Sequence, residues 1–154
     1  MPYLLNVNGQ ERRLDVPPHR TLLQALRDEL GLMGAREACG IGMCGSCTVL
    51  VDGQPFSACL LLAPQVAGRR ILTVEGLPDG DRLHPVQQAY LEHSAFQCSF
   101  CTPGFILSTI ALLKQNPHPS DAEIREYLAG NLCRCGAYPE ILEAIRSLAL
   151  EPGG

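Results

Sequence analysis

The chain has 154 residues, a net charge of −4 and 46% hydrophobic residues, enough for one medium domain or two small ones with real cores. It has no run of roughly 20 apolar residues and no basic start leading into an apolar stretch, so neither a membrane span nor a secretory leader is expected. Seven basic and eight acidic residues up to Gly80, and five and eight after it, leave no clustered cationic footprint for nucleic acid.

The first half alternates short strand-like runs with turn signals. Residues 3–7 and 11–16 flank Asn8-Gly9, a dipeptide that favours tight hairpin turns. Thr21 and Gln24 have capping-box spacing, Leu22, Leu23, Leu26 and Leu30 form one apolar face, and Gly31 suits a helix end. After a cysteine-rich loop, residues 48–51 and 55–62 flank Asp52-Gly53 and predict a second hairpin, with a last strand at 70–74. Hairpin, helix, loop, hairpin and strand describe a small α+β sheet domain with its helix packed on one face. Residues 75–85 are polar and rich in Gly and Pro, and beyond them the period becomes helical. Helices are predicted at 86–95, 103–115, 121–129 and 139–150. Ser120 with Glu123 caps the third, while Pro103 and Pro139 suit first turns. The expected division is therefore 1–76 and 77–154.

Eight cysteines in a chain expected in the reducing cytoplasm call for metal or redox chemistry rather than disulfides. Cys39, Cys44, Cys47 and Cys59 are spaced CxxxxCxxC with a fourth cysteine further on, the plant-type [2Fe–2S] spacing. Gly40, Gly42 and Gly45 open that loop to backbone N–H donors and permit left-handed φ values where it reverses. Cys59 is expected on the strand after the second hairpin turn. Cys98 and Cys101 form CxxC just before Pro103, and Cys133 and Cys135 form CxC between the third and fourth predicted helices. Both pairs therefore sit near helix N-termini, where free N–H groups and the helix dipole stabilise thiolates. Structural zinc is the rival for the second set, since CxxC with CxC could supply four sulfur ligands.

The stretches CGIGMCGSCTVLVDG, HPVQQAYLEHSAFQCSFCTPGFILS and NLCRCGAYPEILEAI together resemble the small iron–sulfur subunit of the molybdenum hydroxylases, a family that includes xanthine dehydrogenases, aldehyde oxidoreductases and carbon monoxide dehydrogenases. The resemblance covers residues 3 to 150. It implies a β-grasp plant-type ferredoxin domain followed by a four-helix domain, each with one [2Fe–2S] cluster. Cys39, Cys44, Cys47 and Cys59 would hold the distal cluster, and Cys98, Cys101, Cys133 and Cys135 the proximal one beside the molybdopterin. It further implies that Gln97 and Cys135 hydrogen-bond that pterin, a cytosine dinucleotide carried by a large partner subunit. A medium subunit with FAD would complete a heterotrimer or a dimer of heterotrimers. Gly136-Ala137 departs from the Thr-Gly that commonly follows LCRC in the family and leaves the ligands intact.

The function so implied is a relay of single electrons from molybdenum to a flavin or other acceptor, with no catalytic residue on this chain. A free-standing two-cluster carrier and a zinc-stabilised interaction module are the alternatives. His19, His84, His93 and His118 are scattered and read as surface or capping residues. Arg134, between two ligands, would either shield cluster charge or pair with a carboxylate. Phe100 and Phe105 are expected in the helical core.

Overall fold

The structure, a computed structural model, describes residues 2–149; residue 150, the expected end of the last helix, lies outside the described residues. Strands β1 (Pro2–Val7) and β2 (Gln10–Asp15) pair antiparallel across Asn8 and Gly9, whose φ values of 54° and 79° give the tight turn that Asn-Gly favours. Asp52 and Gly53 do the same between β3 (Thr48–Val51) and β4 (Gln54–Ser57). The last strand, β5 (Arg70–Leu72), enters between the hairpins, parallel to β1 and antiparallel to β3, giving the order β2-β1-β5-β3-β4. The α+β class agrees with the sequence.

In the first half, three expected elements are shorter than their patterns. The helix after Thr21 is a capped α-turn, α1 (Leu22–Gln24), that widens into π-helical winding over Ala25–Glu29. There the Leu30 N–H donates to the Ala25 carbonyl and the Leu32 N–H to the Leu26 carbonyl, and Gly31 at φ +66° turns the chain away. β4 stops at Ser57, so Cys59 lies in a turn, not on a strand. The apolar residues after it face the helix instead, with the Leu22 and Leu23 N–H groups donating to the Leu61 and Ala58 carbonyls. β5 ends at Leu72 because Asn8 captures Thr73, accepting from its N–H and donating to its hydroxyl, each at 2.9 Å.

The second half contains α2 (Pro85–Glu92), α3 (Thr102–Gln115), α4 (Asp121–Tyr127) and α5 (Tyr138–Ala149). Capping is local and legible. His84 Nδ1 accepts from the Val86 N–H at 3.1 Å, and Ser120 and Glu123 form the expected box. α2 ends at Glu92, earlier than its pattern, where Ser94 takes φ +49°. Arg146 on α5 forks onto the Asp121 carboxylate at the start of α4, closing those two helices together.

Two cores result. One joins Leu5, Val7, Leu22, Leu26, Val49, Val51 and Ile71 under the sheet. The other joins Val86, Tyr90, Phe105, Ile124, Ile141 and Ile145 among the helices, with the buried Tyr90 hydroxyl bonded to Thr109 at 2.8 Å. A third cluster bridges them: Leu50 on the opposite face of β3 packs on Leu107 and Ala111 of α3. All four β3 residues are therefore buried, with α1 covering one face and α3 the other.

At one point the halves meet backbone on backbone. A Cβ built on Gly104, in the first turn of α3, would lie 2.2 Å from the Gly45 carbonyl oxygen. Helix propensity alone would make Gly104→Ala stabilising by about 1 kcal/mol. The clash instead makes it destabilising by about 1–3 kcal/mol, as for other overpacked sites. Thermal unfolding of the variant beside the parent chain checks the sign.

Candidate metal centre

The thiols converge as the spacing predicts, in two separate sets, and within each set in pairs. The Cys39 thiol lies beside that of Cys44, and Cys47 beside Cys59. Cys98 lies beside Cys135, and Cys101 beside Cys133, all as free thiols. Among the described residues no three His, Cys, Asp or Glu side chains gather tightly enough for a single metal ion. Facing thiol pairs suit a two-iron unit, in which each iron takes two thiolates and shares two sulfides; a zinc site needs four sulfurs about 2.3 Å from one point.

The first set is built on the glycine-rich loop between α1 and β3. Gly40, Gly42 and Gly45 all have positive φ, as the sequence suggests. The loop wraps so that the N–H groups of Ile41, Met43 and Cys44 point at Cys39 Sγ, at 3.4, 3.3 and 3.4 Å. The Ser46 N–H reaches Cys44 Sγ at 3.4 Å. Gly45 has no room for a side chain, since a Cβ would meet the Gly130 carbonyl at 2.5 Å, and Gly42 at φ +78° sits in a conformation that side chains disfavour. Hydrogen bonds from Ile41, Cys44 and Met43 lower the Cys39 thiol to about 6. Burial does the opposite to Cys47, which lies beneath the loop and is pushed up to about 12.

The second set joins two helix starts. Cys101 is the N-cap residue of α3, and Cys98 lies in the preceding loop, where it accepts from the Phe100 N–H at 3.5 Å. Cys133 and Cys135 lie in the loop before α5. Gly136 takes φ +80°, which brings the Ala137 N–H onto Cys133 Sγ at 3.4 Å, so the Gly-Ala departure keeps a donor on the sulfur. Burial raises Cys101 to about 12. Burial also opposes the Cys133 thiolate, but hydrogen bonds from the Ala137 N–H, Cys101 and neighbouring N–H groups outweigh it and leave this thiol lowered. Cys98 is lowered first by the Phe100 N–H and then by Cys135.

Gln97 does not bond its local backbone. Its Nε2 donates to the Cys135 carbonyl at 3.1 Å, tying the two loops of the second set together. Thr102 Oγ1, beside Cys101, is buried with no hydrogen-bond partner among the described residues. A sulfide of a cluster is the kind of acceptor its O–H lacks. Paired thiols, N–H groups aimed at sulfur and this orphaned hydroxyl fit a [2Fe–2S] group at the second set, and the paired thiols and N–H cradle fit one at the first.

Phe105 is core, but Phe100 is not: it stands partly exposed in the Cys98–Cys101 loop, against the Arg36 guanidinium. Arg134 is exposed. Sequence reasoning missed Asn131. This buried side chain donates to the Gly45 carbonyl at 3.2 Å and accepts from the Ser108 hydroxyl at 3.0 Å, locking the first-set loop to the second-set loop. A polar residue two positions before the first cysteine of LCRC was the available signal. Next to it, the Leu132 N–H donates to the Cys44 carbonyl at 2.9 Å.

In the cluster-free chain the thiol shifts have a direct readout. Cys39 is thiolate above about pH 6, so its alkylation by iodoacetamide rises through that pH and falls as the pH drops below it. Cys47 and Cys101, both pushed up to about 12, react far more slowly at neutral pH. Site-resolved mass spectrometry of labelling checks the order, and equal labelling of Cys39 and Cys47 would contradict the cradle described above.

Comparison with known proteins agrees with this geometry. Residues 5–71 match the 2Fe-2S iron-sulfur cluster binding domain, and residues 73–146 the [2Fe-2S] binding domain. The chain is 44% identical to the nicotinate dehydrogenase small FeS subunit of Eubacterium barkeri, covering 92% of this chain and 90% of that one. It is 45% identical to the aldehyde oxidoreductase iron-sulfur-binding subunit of Escherichia coli (strain K12), covering 98% of this chain and 72% of the relative. Among solved structures it superposes on quinoline 2-oxidoreductase from Pseudomonas putida 86 with a TM-score of 0.93 at 44% identity, covering 97% of this chain and 92% of that one. It also superposes on the aldehyde oxidoreductase of Desulfovibrio desulfuricans with a TM-score of 0.91 at 42% identity, where it covers 96% of this chain and 17% of that much longer one. Two sets of paired thiols on this fold, matched along nearly the whole chain, make the protein a member of the iron–sulfur subunit family of the molybdenum hydroxylases, the iron–sulfur component of an oxidoreductase complex.

Proposed function

We propose that this chain is the electron-transfer subunit of a molybdenum-containing hydroxylase, carrying electrons one at a time from the molybdopterin site of a large partner subunit to a flavin or other acceptor. Cys98, Cys101, Cys133 and Cys135 would hold the inner [2Fe–2S] cluster, and Cys39, Cys44, Cys47 and Cys59 the outer one. When bound, the clusters supply one-electron acceptors and donors in series. The protein's own work is to hold them at fixed separation, to aim N–H groups at their sulfurs and to keep water from the buried side.

The observation that carries this reading is the hydrogen bond from the Leu132 N–H to the Cys44 carbonyl. Leu132 adjoins Cys133 of one set, and Cys44 belongs to the other. The two sets are thus joined by a short run of covalent bonds and one hydrogen bond. The second set also has a direction. Cys98 and Cys135 are exposed, whereas Cys133 is buried on the side of that link. An exposed pair facing a partner and a more covered pair, Cys101 and the buried Cys133, facing the other set are what a relay needs, and Gln97 and Cys135 stand at the exposed end, where they would meet the pterin.

The partners assigned are the large molybdenum subunit, with its cofactor as the cytosine dinucleotide, and a medium FAD subunit in a heterotrimer or a dimer of heterotrimers. Among the described residues no helix is long and apolar enough to cross a membrane. We assign the division between the two modules to Gly76 and Leu77. Asn8 clamps the segment before it, and Leu77 already packs with the helical core.

Isolated with its complex, the subunit is expected to contain about four iron and four acid-labile sulfide, and to give two distinct reducible [2Fe–2S] signals in electron paramagnetic resonance. Cys135→Ser should disturb the inner-site signal and spare the other. Fewer than two centres would refute the relay, and loss of the outer signal in Cys135→Ser would show that the ligand sets are wrongly drawn.

A further inference from the structure

Among the described residues, Arg36 links the loop of one thiol set to the loop of the other. It precedes Cys39 by three positions, and its N–H donates to the Ser46 carbonyl at 3.0 Å, which fixes its backbone against the loop between Cys44 and Cys47. Its guanidinium lies 5.5 Å from the centroid of the Phe100 ring, in the loop between Cys98 and Cys101. It is half-buried, and among the described residues it has no carboxylate partner. Arg134, though adjacent in sequence to two of the thiols, is exposed and has no such anchor.

A cation held by a ring instead of a carboxylate keeps its field. The face of Phe100 attracts the guanidinium through its quadrupole without cancelling its charge, and the ring shields one side of it from water. Four thiolates, two ferric ions and two sulfides give each loaded site a net charge of about −2, and the electron gained on reduction takes it to about −3 with no bond made or broken. A fixed positive charge between two such sites favours the reduced form of both, and it offsets the repulsion between electrons held on neighbouring sites.

We propose that Arg36, stacked on Phe100 where the two cysteine loops meet, is a positioning residue that raises the reduction potentials of both clusters and couples them electrostatically. This rests on the relay reading above. Phe100 thereby has a role of its own: it holds the cation, which explains why an aromatic residue stands partly in solvent inside a cluster loop instead of in the helical core where its hydrophobicity would send it.

The test is a potentiometric titration of the full complex, followed by electron paramagnetic resonance so that each centre is read separately, on Arg36→Met, Arg36→Lys and Phe100→Leu. Arg12→Gln on the exposed face of β2 is the control. Arg36→Met is expected to shift the reduced-to-oxidised ratio at fixed potential roughly three- to tenfold toward oxidised at both centres. Arg36→Lys, which keeps the charge, should restore most of that shift, and Phe100→Leu, which frees the guanidinium, should move the inner-site centre more than the outer. Equal shifts in Arg36→Met and Arg36→Lys, or an Arg36→Met shift no larger than that of Arg12→Gln, would overturn the proposal. If Arg36→Met does not load its clusters, Phe100→Leu decides: a shifted inner-site potential supports the role and an unshifted one overturns it. A parent complex with fewer than two reducible centres would instead overturn the relay reading itself, so the two failures are distinguishable.

Discussion

The structure depends on one crossing where backbone meets backbone with no side chain between. The Gly45 carbonyl accepts from the Thr48 N–H at 3.1 Å, the Thr48 hydroxyl at 2.7 Å and the Asn131 side chain at 3.2 Å. Gly104 and Gly130 crowd the same point from the helical half. The missing side chains of Gly45 and Gly104 let loops that each carry cysteines approach to hydrogen-bonding distance. One added methyl group there would push one set of thiols away from the other, and electron transfer between fixed sites is steeply sensitive to separation. Asn131 makes the crossing specific as well as close. As a buried amide it must find partners, and Gly45 and Ser108 satisfy it in a single arrangement of the two halves.

Around that crossing the thiols are graded. Cys39 and Cys98 stand among N–H donors and ionise readily, while Cys47 and Cys101 are held neutral by burial until a metal takes the proton's place. Each set therefore combines a thiol that ionises readily with one that burial keeps protonated. The split follows the fold. Easily ionised sulfurs lie on loops, and reluctant ones lie where a loop enters β3 or α3.

Much of this was legible in the sequence, for local reasons. Asn8-Gly9, Asp52-Gly53 and the Ser120 capping box state their geometry within four residues, and the cysteine spacings state which thiols lie on one loop. What could not be read were the consequences of contacts between distant segments. β5 is cut short by an asparagine 65 residues away. Cys59 leaves its strand because the apolar run after it has a better partner in α1. Phe100 looks like core by composition and is drawn outward by Arg36, a residue of the other half. Gln97 donates to the Cys135 carbonyl, 38 residues away. In each case the deciding group lies in a distant segment, where no periodicity or spacing points to it.

Helix α3 gives the two-module description a thermodynamic meaning. Nine of its fourteen residues are buried, from Pro103 through Leu112, and they do not share one stripe: Phe105, Ile106 and Leu112 face the helical core while Leu107 and Ala111 face Leu50 of β3. A helix apolar on both sides has no surface to offer to water. Cutting the chain between Gly76 and Leu77 would therefore expose Leu50 on one fragment and Leu107 with Ala111 on the other. The two halves are separable in sequence but cooperative in folding, and neither is a free-standing cassette that could be exchanged without a matching face supplied from elsewhere.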